Sequence, residues 1–404
     1  MFERDRIPPE KFPTTPNIET DEFVAYEKLD KRLEKRLKRR SRMPMKIGAV
    51  ALAFAAVGSV YWADVEENRA ERAEARVSID VVGEPLDEAN SDRGIIFVDG
   101  FNTNNGEYLA KTIGPAVQEM ADGKLLSLAT HNAVLAREQI VEEIQETVEE
   151  NKLERVIIVG NSMGGIIDME AVSDLVDKSD VKVDLFILMH TPSGPEGLQT
   201  KPKVELEFLQ ELVKWFPGAI DSTYLRYGGE LYFYKDIYTK GEFKSWDINH
   251  NIGVIGDNIG RLFRTSDSLW KKVNRPTGTS LQLMLEQGYK IDNFDMEKEL
   301  KTIAAQRGAK QMPVGLYLSM DNDSTVKNKE AAQNFTVMTH ENDIKFHTYN
   351  VPNAIHAQYD RSIKEYTQAF EKMSGVISRD VQEEKDKHEA YLIYQDEISI
   401  EAKG

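Results

Sequence analysis

The feature that most constrains this chain is an apolar strand that runs straight into a small-residue turn and then into a helix. The segment RVIIVG at 155–160 is uncharged after Arg155 and rich in β-branched residues. Asn161-Ser162-Met163-Gly164-Gly165 follows at once, and then a helical run from Ile166 to Leu175. A serine in such a turn is thrust above the edge of the sheet. Only small residues two before and two after it let strand and helix pass closely. The N–H groups after the serine lie at a helix N-terminus, where they can stabilise a developing oxyanion. The pattern G-x-S-x-G recurs by chance in many chains, and its meaning comes from the strand before it and the helix after it. The competing reading, a phosphate-binding glycine turn, lacks both the G-x-G-x-x-G spacing and the Walker lysine.

Around this turn the chain alternates short apolar runs with amphipathic stretches, the signature of a mostly parallel sheet flanked by helices. The runs are VSIDVV at 77–82, GIIFVD at 94–99, KLLSLAT at 124–130, RVIIVG at 155–160, VDLFILM at 183–189, VGLYLSM at 314–320 and IKFHTYNV at 344–351. Residues 107–121, 133–151, 163–178, 326–340 and 358–374 carry helical periodicity. Over a hundred residues separate the fifth run from the sixth. They are rich in aromatics, among them Trp215, Phe216, Tyr224, Tyr227, Tyr232, Phe233, Tyr234, Tyr238, Trp246 and Trp270. A structureless loop of that length is improbable, so an inserted, largely helical cap is expected over 192–312.

With the serine turn in place, the chain resembles the α/β-hydrolase fold superfamily, of the serine esterase or lipase kind, over residues 77–374. In that family the acid and the histidine follow the serine in chain order. The resemblance therefore implies a Ser-His-Asp triad. Ser162 is the nucleophile and His356, in Val351-Pro352-Asn353-Ala354-Ile355-His356 after the last strand, is the general base. The acid is Asp323, three residues before Val326, with Asp321 as the fallback. Helix capping is the plain alternative for Asp323. His131, His190, His250, His340, His347 and His388 lack the matching context, although His190 ends a strand and can line the site. The oxyanion donors implied are the N–H groups of Met163 and Phe101. The family often has His-Gly where this chain has Asp99-Gly100, a departure that bears on the Phe101 donor. The cap falls between the sixth and seventh core strands in the family's count, which divides the core into 77–191 and 313–375.

The N-terminal region reads differently. Residues 1–45 form a polar tail with a basic block, Lys31, Arg32, Lys35, Arg36, Lys38, Arg39, Arg40 and Arg42. From Ile47 to Ala63 no residue is charged. At ~1.5 Å rise per residue this run covers about 25 Å, and Met43 and Met45 can extend it toward a ~30 Å hydrocarbon core. Asp64, Glu66 and Glu67 follow on the other side. The expectation is a transmembrane signal anchor over 46–63, with residues 1–45 cytoplasmic by the positive-inside bias and the rest on the outer face of the cell membrane. Tyr61 would stand at −3 of a cleavage after Ala63, which argues against a cleaved signal peptide. Residues 64–76 read as a charged stalk and 376–404 as a charged C-terminal tail, within which Tyr391-Leu392-Ile393-Tyr394 is either a packing strand or a contact site.

Composition narrows the chemistry. The net charge is −17 in 404 residues, which argues against nucleic acid as a partner. Cysteine is absent, so thiolate nucleophiles and Cys-ligated zinc are excluded. No metal or cofactor is expected. The expected activity is hydrolysis of a carboxylic ester through an acyl-enzyme, with a lipid or other acyl-bearing ester as the partner. Amide and thioester substrates share the machinery. A catalytically inactive binding or scaffolding protein on the same fold, and an acyltransferase, remain open at this point.

Overall fold

The computed structural model describes residues 58–70, 74–101, 103–131, 135–215, 218, 221–227, 281–356 and 358–401. In chain order the elements are β1 Ser78–Gly83, β2 Arg93–Val98, α1 Glu107–Met120, β3 Lys124–Ala129, α2 Arg137–Glu150, β4 Arg155–Asn161, α3 Met163–Lys178 and β5 Lys182–Met189. They continue with α4 Thr200–Trp215, α5 Leu281–Asn293, α6 Met296–Ala305, β6 Val314–Met320, α7 Asn328–Glu341, β7 Phe346–Val351 and α8 Ile363–Glu401.

Each of the seven apolar runs forms a strand, and the strands make one sheet in the order β1-β3-β2-β4-β5-β6-β7. β1 pairs antiparallel with β3, and every other pairing is parallel. The central strands are buried on both faces, which is why they read as continuous hydrophobic runs. Side chains still alternate along them. Ile96, Val98, Val156 and Ile158 face a core closed by α2, α3, α6 and α7. Ile95, Phe97, Ile157 and Val159 face a second core closed by α1 and α8. Parallel register brings the ends of β4, β5, β6 and β7 to one edge, with Asn161 opposite Met189, Met189 opposite Leu318 and Met320 opposite Val351. In open parallel sheets that carboxyl edge is where ligands bind.

The insert lies between β5 and β6, the fifth and sixth strands of the described sheet; the family's count presupposes one strand more. Helices α4, α5 and α6 fall within it, while residues 228–280, with most of its aromatics, lie outside the described residues. α5 is tied to the core by polar contacts. The Leu135 N–H donates to Glu286 (2.7 Å) and Gln287 Nε2 donates to the Thr103 carbonyl (3.0 Å). Lys290 pairs with Glu170 on α3.

Residues 64–70 and 376–401 depart from expectation. The expected membrane span at 46–63 lies outside the described residues up to residue 57. Among the described residues no helix is long and apolar enough to cross a membrane. Residues 64–70, expected as part of a stalk, are helical and packed. Val65 is fully buried, Asp64 accepts from Ser222 Oγ (2.9 Å), and Asn68 donates to Thr223 Oγ1 (3.0 Å). Residues 376–404, expected as a separate tail, continue α8 without a break to Glu401. The first turns of α8 bury Tyr366, Ala369, Phe370, Met373 and Ile377 beneath the sheet. Beyond them the buried faces are charged but paired. His347 bonds Asp380 (2.7 Å), Lys345 reaches Glu384 (3.7 Å), and Lys385 reaches Asp184 (3.2 Å). Tyr391 to Tyr394 are helical rather than a strand and exposed, with the Tyr391 ring beside Gly308.

One ion triad braces the helices behind the serine turn. Arg137 on α2 donates to both Asp174 oxygens (2.6 and 2.7 Å) on α3 and to both Glu299 oxygens (2.8 and 2.9 Å) on α6. Both carboxylates are buried, so losing the guanidinium leaves Glu299 without this cation and Asp174 with Lys178 alone (2.8 Å). Breaking a buried pair this way costs about 3–5 kcal/mol. Arg137→Ala is expected to lower the unfolding free energy by about that amount in urea titrations. A loss indistinguishable from zero would contradict the role given to the triad.

Candidate active site

The turn that carries Ser162 is forced by close approach. Gly160 ends the apolar part of β4. A Cβ built on it would lie 2.1 Å from an Asp168 oxygen and 2.5 Å from the Gly165 nitrogen. A Cβ on Gly164 would lie 2.3 Å from the Val98 carbonyl oxygen. Neither position accepts a side chain without a shift: Gly160 lets β4 meet α3, and Gly164 lets α3 pass the end of β2. Between them Ser162 takes φ 53° and ψ −123°, a left-handed conformation costing roughly 1–3 kcal/mol for a non-glycine residue. Its N–H is held by the Met189 carbonyl (2.7 Å) at the end of β5.

Three side chains converge at the carboxyl edge of the sheet. Ser162 Oγ lies 3.1 Å from His356 Nε2, and His356 Nδ1 lies 2.7 Å from Asp323 Oδ2. The histidine is in the loop after β7, which Asn353 turns with φ 58° and which Ser362 ties back through the Ile355 N–H (3.1 Å). Asp323 follows β6, where Asn322 at φ 56° reverses the chain. Asp321 points elsewhere: it is exposed and accepts from Asn350 (3.2 Å). Geometry therefore separates two aspartates that spacing left unresolved.

Asp323 also serves the local turn. Its Oδ1 accepts from the N–H groups of Thr325 (2.7 Å) and Val326 (3.1 Å), and its Oδ2 also accepts from Asn328 Nδ2. The turn and the contact with His356 coexist because Oδ1 takes the two backbone donors and Oδ2 faces His356; Asp323 does not cap α7, which begins at Asn328. Burial alone would raise this carboxyl. The hydrogen bond and charge of His356, with the two backbone donors, outweigh burial and hold it below the ordinary aspartate value.

The residues expected as oxyanion donors, Met163 and Phe101, lie next to Ser162 in the chain and in the loop after β2. Met163 is the first residue of α3, so its N–H is among the donors that a helix leaves unpaired. Gly100 presses against the serine, with its Cβ position 3.0 Å from Ser162 Cβ, and Phe101 packs on the core beside it.

Two neighbours complete the setting, and of these His190 was legible as a strand-ending residue able to line the site, while its contact with Tyr366 was not. Asn328 on α7 clamps Asp323, and its own Oδ1 lies 3.1 Å from the Tyr317 hydroxyl. His190, at the end of β5, lies behind His356 with ring centroids 5.9 Å apart, and its Nε2 is 2.6 Å from the Tyr366 hydroxyl. An asparagine opening the helix after the aspartate was the one local signal for the first. The second joins residues 176 apart, and no local pattern announces it.

His190 has a measurable consequence. Burial, with the adjacent His356, pushes its imidazole down to about 3. The unfolded chain takes up this proton near pH 6.5, and the folded chain resists it. The folded state therefore loses stability as pH falls below about 6.5, by up to about 1.4 kcal/mol per pH unit. His190→Gln removes the titrating group and keeps a polar partner for Tyr366. Between pH 7 and pH 5 the variant should lose about 2 kcal/mol less unfolding free energy than the parent. Identical losses would show that His190 does not titrate in this way.

No protein-family model matches this sequence, and no curated protein matches it. Among solved structures the chain is similar to one described with carboxylesterases of Nitrososphaera gargenis (12% identity, TM-score 0.46, 76% of this chain and 97% of that one). It is also similar to an esterase from Exiguobacterium antarcticum (15%, 0.45, 74% and 95%) and to an ancestral haloalkane dehalogenase (10%, 0.47, 76% and 97%). At such values the likeness says nothing about chemistry. The fold stands on the molecule's own topology: a parallel sheet with one antiparallel edge strand, a serine elbow after its central strand, and an insert before β6. By that topology the chain has the α/β-hydrolase fold.

Proposed function

We propose that this protein is a serine hydrolase that cleaves a carboxylic ester through an acyl-enzyme, anchored in a membrane by residues 46–63. The observation that carries the reading is the unbroken line Ser162 Oγ–His356 Nε2 (3.1 Å) and His356 Nδ1–Asp323 Oδ2 (2.7 Å).

A serine hydroxyl is a weak nucleophile at neutral pH and needs a base within hydrogen-bond reach. His356 Nε2 takes the Ser162 proton as Oγ bonds to the ester carbonyl carbon. The carbonyl oxygen becomes an oxyanion facing the N–H groups of Met163 and Phe101, where each donor is worth about 10²–10³ in turnover. The imidazolium returns the proton to the departing alcohol oxygen, leaving the acyl group on Ser162. Water, deprotonated by the same nitrogen, then releases the acid. Asp323 holds the Nδ1–H tautomer and offsets the imidazolium charge, and its depressed pKa keeps it ionised at the pH where this is needed.

Two features support an apolar acyl group: the aromatic-rich insert between β5 and β6 and the uncharged run at 47–63 next to a basic block. On this reading residues 1–45 are cytoplasmic and the hydrolase domain lies on the outer face.

Turnover of p-nitrophenyl esters by the full chain in detergent tests the proposal. Ser162→Ala is expected to fall to background. Asp323→Asn should lower kcat by about 10³–10⁴, whereas Asp321→Asn should stay close to the parent. Equal losses in the two aspartate variants would remove Asp323 from its role. Cleavage of short esters but no long-chain ester would sink the acyl-lipid reading alone.

A further inference from the structure

Where the family often has a histidine, this chain has Asp99, and its carboxyl is the meeting point of three segments. Asp99 Oδ1 accepts from the Gly100 N–H (2.7 Å), from Asn161 Nδ2 (3.2 Å) and from the Tyr359 hydroxyl (2.7 Å). Gly100 belongs to the loop that carries Phe101. Asn161 immediately precedes Ser162. Tyr359 is three residues past His356 and opens the short turn Tyr359–Arg361. One oxygen thus joins the oxyanion loop, the nucleophile turn and the histidine loop. Its bond to Tyr359 spans 260 residues of sequence.

The joint is built to hold. Tyr359 is almost fully buried at 1% exposure. Burial and the adjacent carboxyl push its phenol well above the usual range, so it remains a donor. Burial holds the Asp99 carboxyl above the ordinary aspartate value, although the bonds from Tyr359, Gly100 and Asn161 and the charge of His356 work against it. Asp99 makes no hydrogen bond to Ser162 or His356 among those described, so its hydrogen bonds reach them through the segments it holds in place.

We infer that Asp99 and Tyr359 are positioning residues: their hydrogen bond sets the Ser162–His356 approach and the placement of the Phe101 N–H together. The inference rests on the serine-hydrolase reading above. Misplacing a reacting group by about 1 Å costs on the order of 10²-fold in rate, whereas substrate affinity is set elsewhere in the site. The signature is therefore a loss in kcat with KM unchanged.

The test uses the full chain in detergent. It measures kcat and KM on a short p-nitrophenyl ester and the rate of Ser162 labelling by a fluorophosphonate. Tyr359→Phe should lower kcat and the labelling rate about tenfold, with KM unchanged and cooperative unfolding retained. Asp99→Ala should lose about 100-fold, and Asp99→Asn, which keeps an acceptor oxygen, should recover most of that. The double variant Asp99→Ala with Tyr359→Phe should be no slower than Asp99→Ala alone, because both remove one interaction. If Asp99→Ala does not fold, the Tyr359→Phe and Asp99→Asn rates decide. Parental rates in Tyr359→Phe, or losses that multiply in the double variant, overturn the inference and leave the hydrolase reading intact. A folded parent chain that neither turns over ester nor labels overturns both.

Discussion

Ser162 can hold a left-handed backbone only because everything around it refuses to move. β4 lies at the centre of the sheet, bonded to β2 on one side and β5 on the other. α3 is buried along nearly its whole length. Strands and helix meet across Gly160, Gly164 and Gly165, where a single added carbon would overlap an Asp168 oxygen, the Val98 carbonyl or the Thr191 hydroxyl. The local strain, about 1–3 kcal/mol, is small against the two apolar cores that clamp the turn from either face. The rest of the site is arranged around the position this fixes. The loops after β2, β6 and β7 all approach the same edge because parallel register delivers them there.

Charge in this setting is handled by pairing and by neutralisation. Asp323 stays ionised because its two oxygens collect His356, Asn328 and two backbone N–H groups, which together outweigh burial. His190, a few ångströms behind His356, is kept neutral instead, because burial and a second imidazole both oppose a proton there. Tyr317, Tyr359 and Tyr366 line the same region with phenols that burial keeps protonated. The result is that Asp323, the carboxylate bonded to the histidine, is held ionised by donors on both of its oxygens.

The parts of this arrangement that were legible in the sequence are those written in local pattern. Seven apolar runs at strand length gave the sheet, since a fully buried parallel strand has little freedom in composition. The glycine spacing around Ser162 was readable because close backbone approach leaves a small-residue imprint. His356 and the pair Asp321 and Asp323 were readable as loop residues after their strands, but the choice between the aspartates was not. It depends on Asn322 turning the chain at φ 56°, which aims Asp323 inward and Asp321 at Asn350. The contacts of Asp99 with Tyr359 and of His190 with Tyr366 connect distant residues and leave no trace in neighbouring sequence. The end of α8 was misread because its charge suggested a solvated tail, whereas Asp380, Glu384 and Lys385 are partnered across to His347, Lys345 and Asp184.

The central claim is that Ser162 is the activated nucleophile of this chain, and chemical trapping tests it most directly. The full chain is treated with a fluorophosphonate, digested and sequenced by mass spectrometry. The account predicts one phosphonyl adduct, located on Ser162, and none when His356 is replaced by alanine. An adduct on another residue, or a folded chain that takes up no label while a control serine hydrolase does, would contradict it.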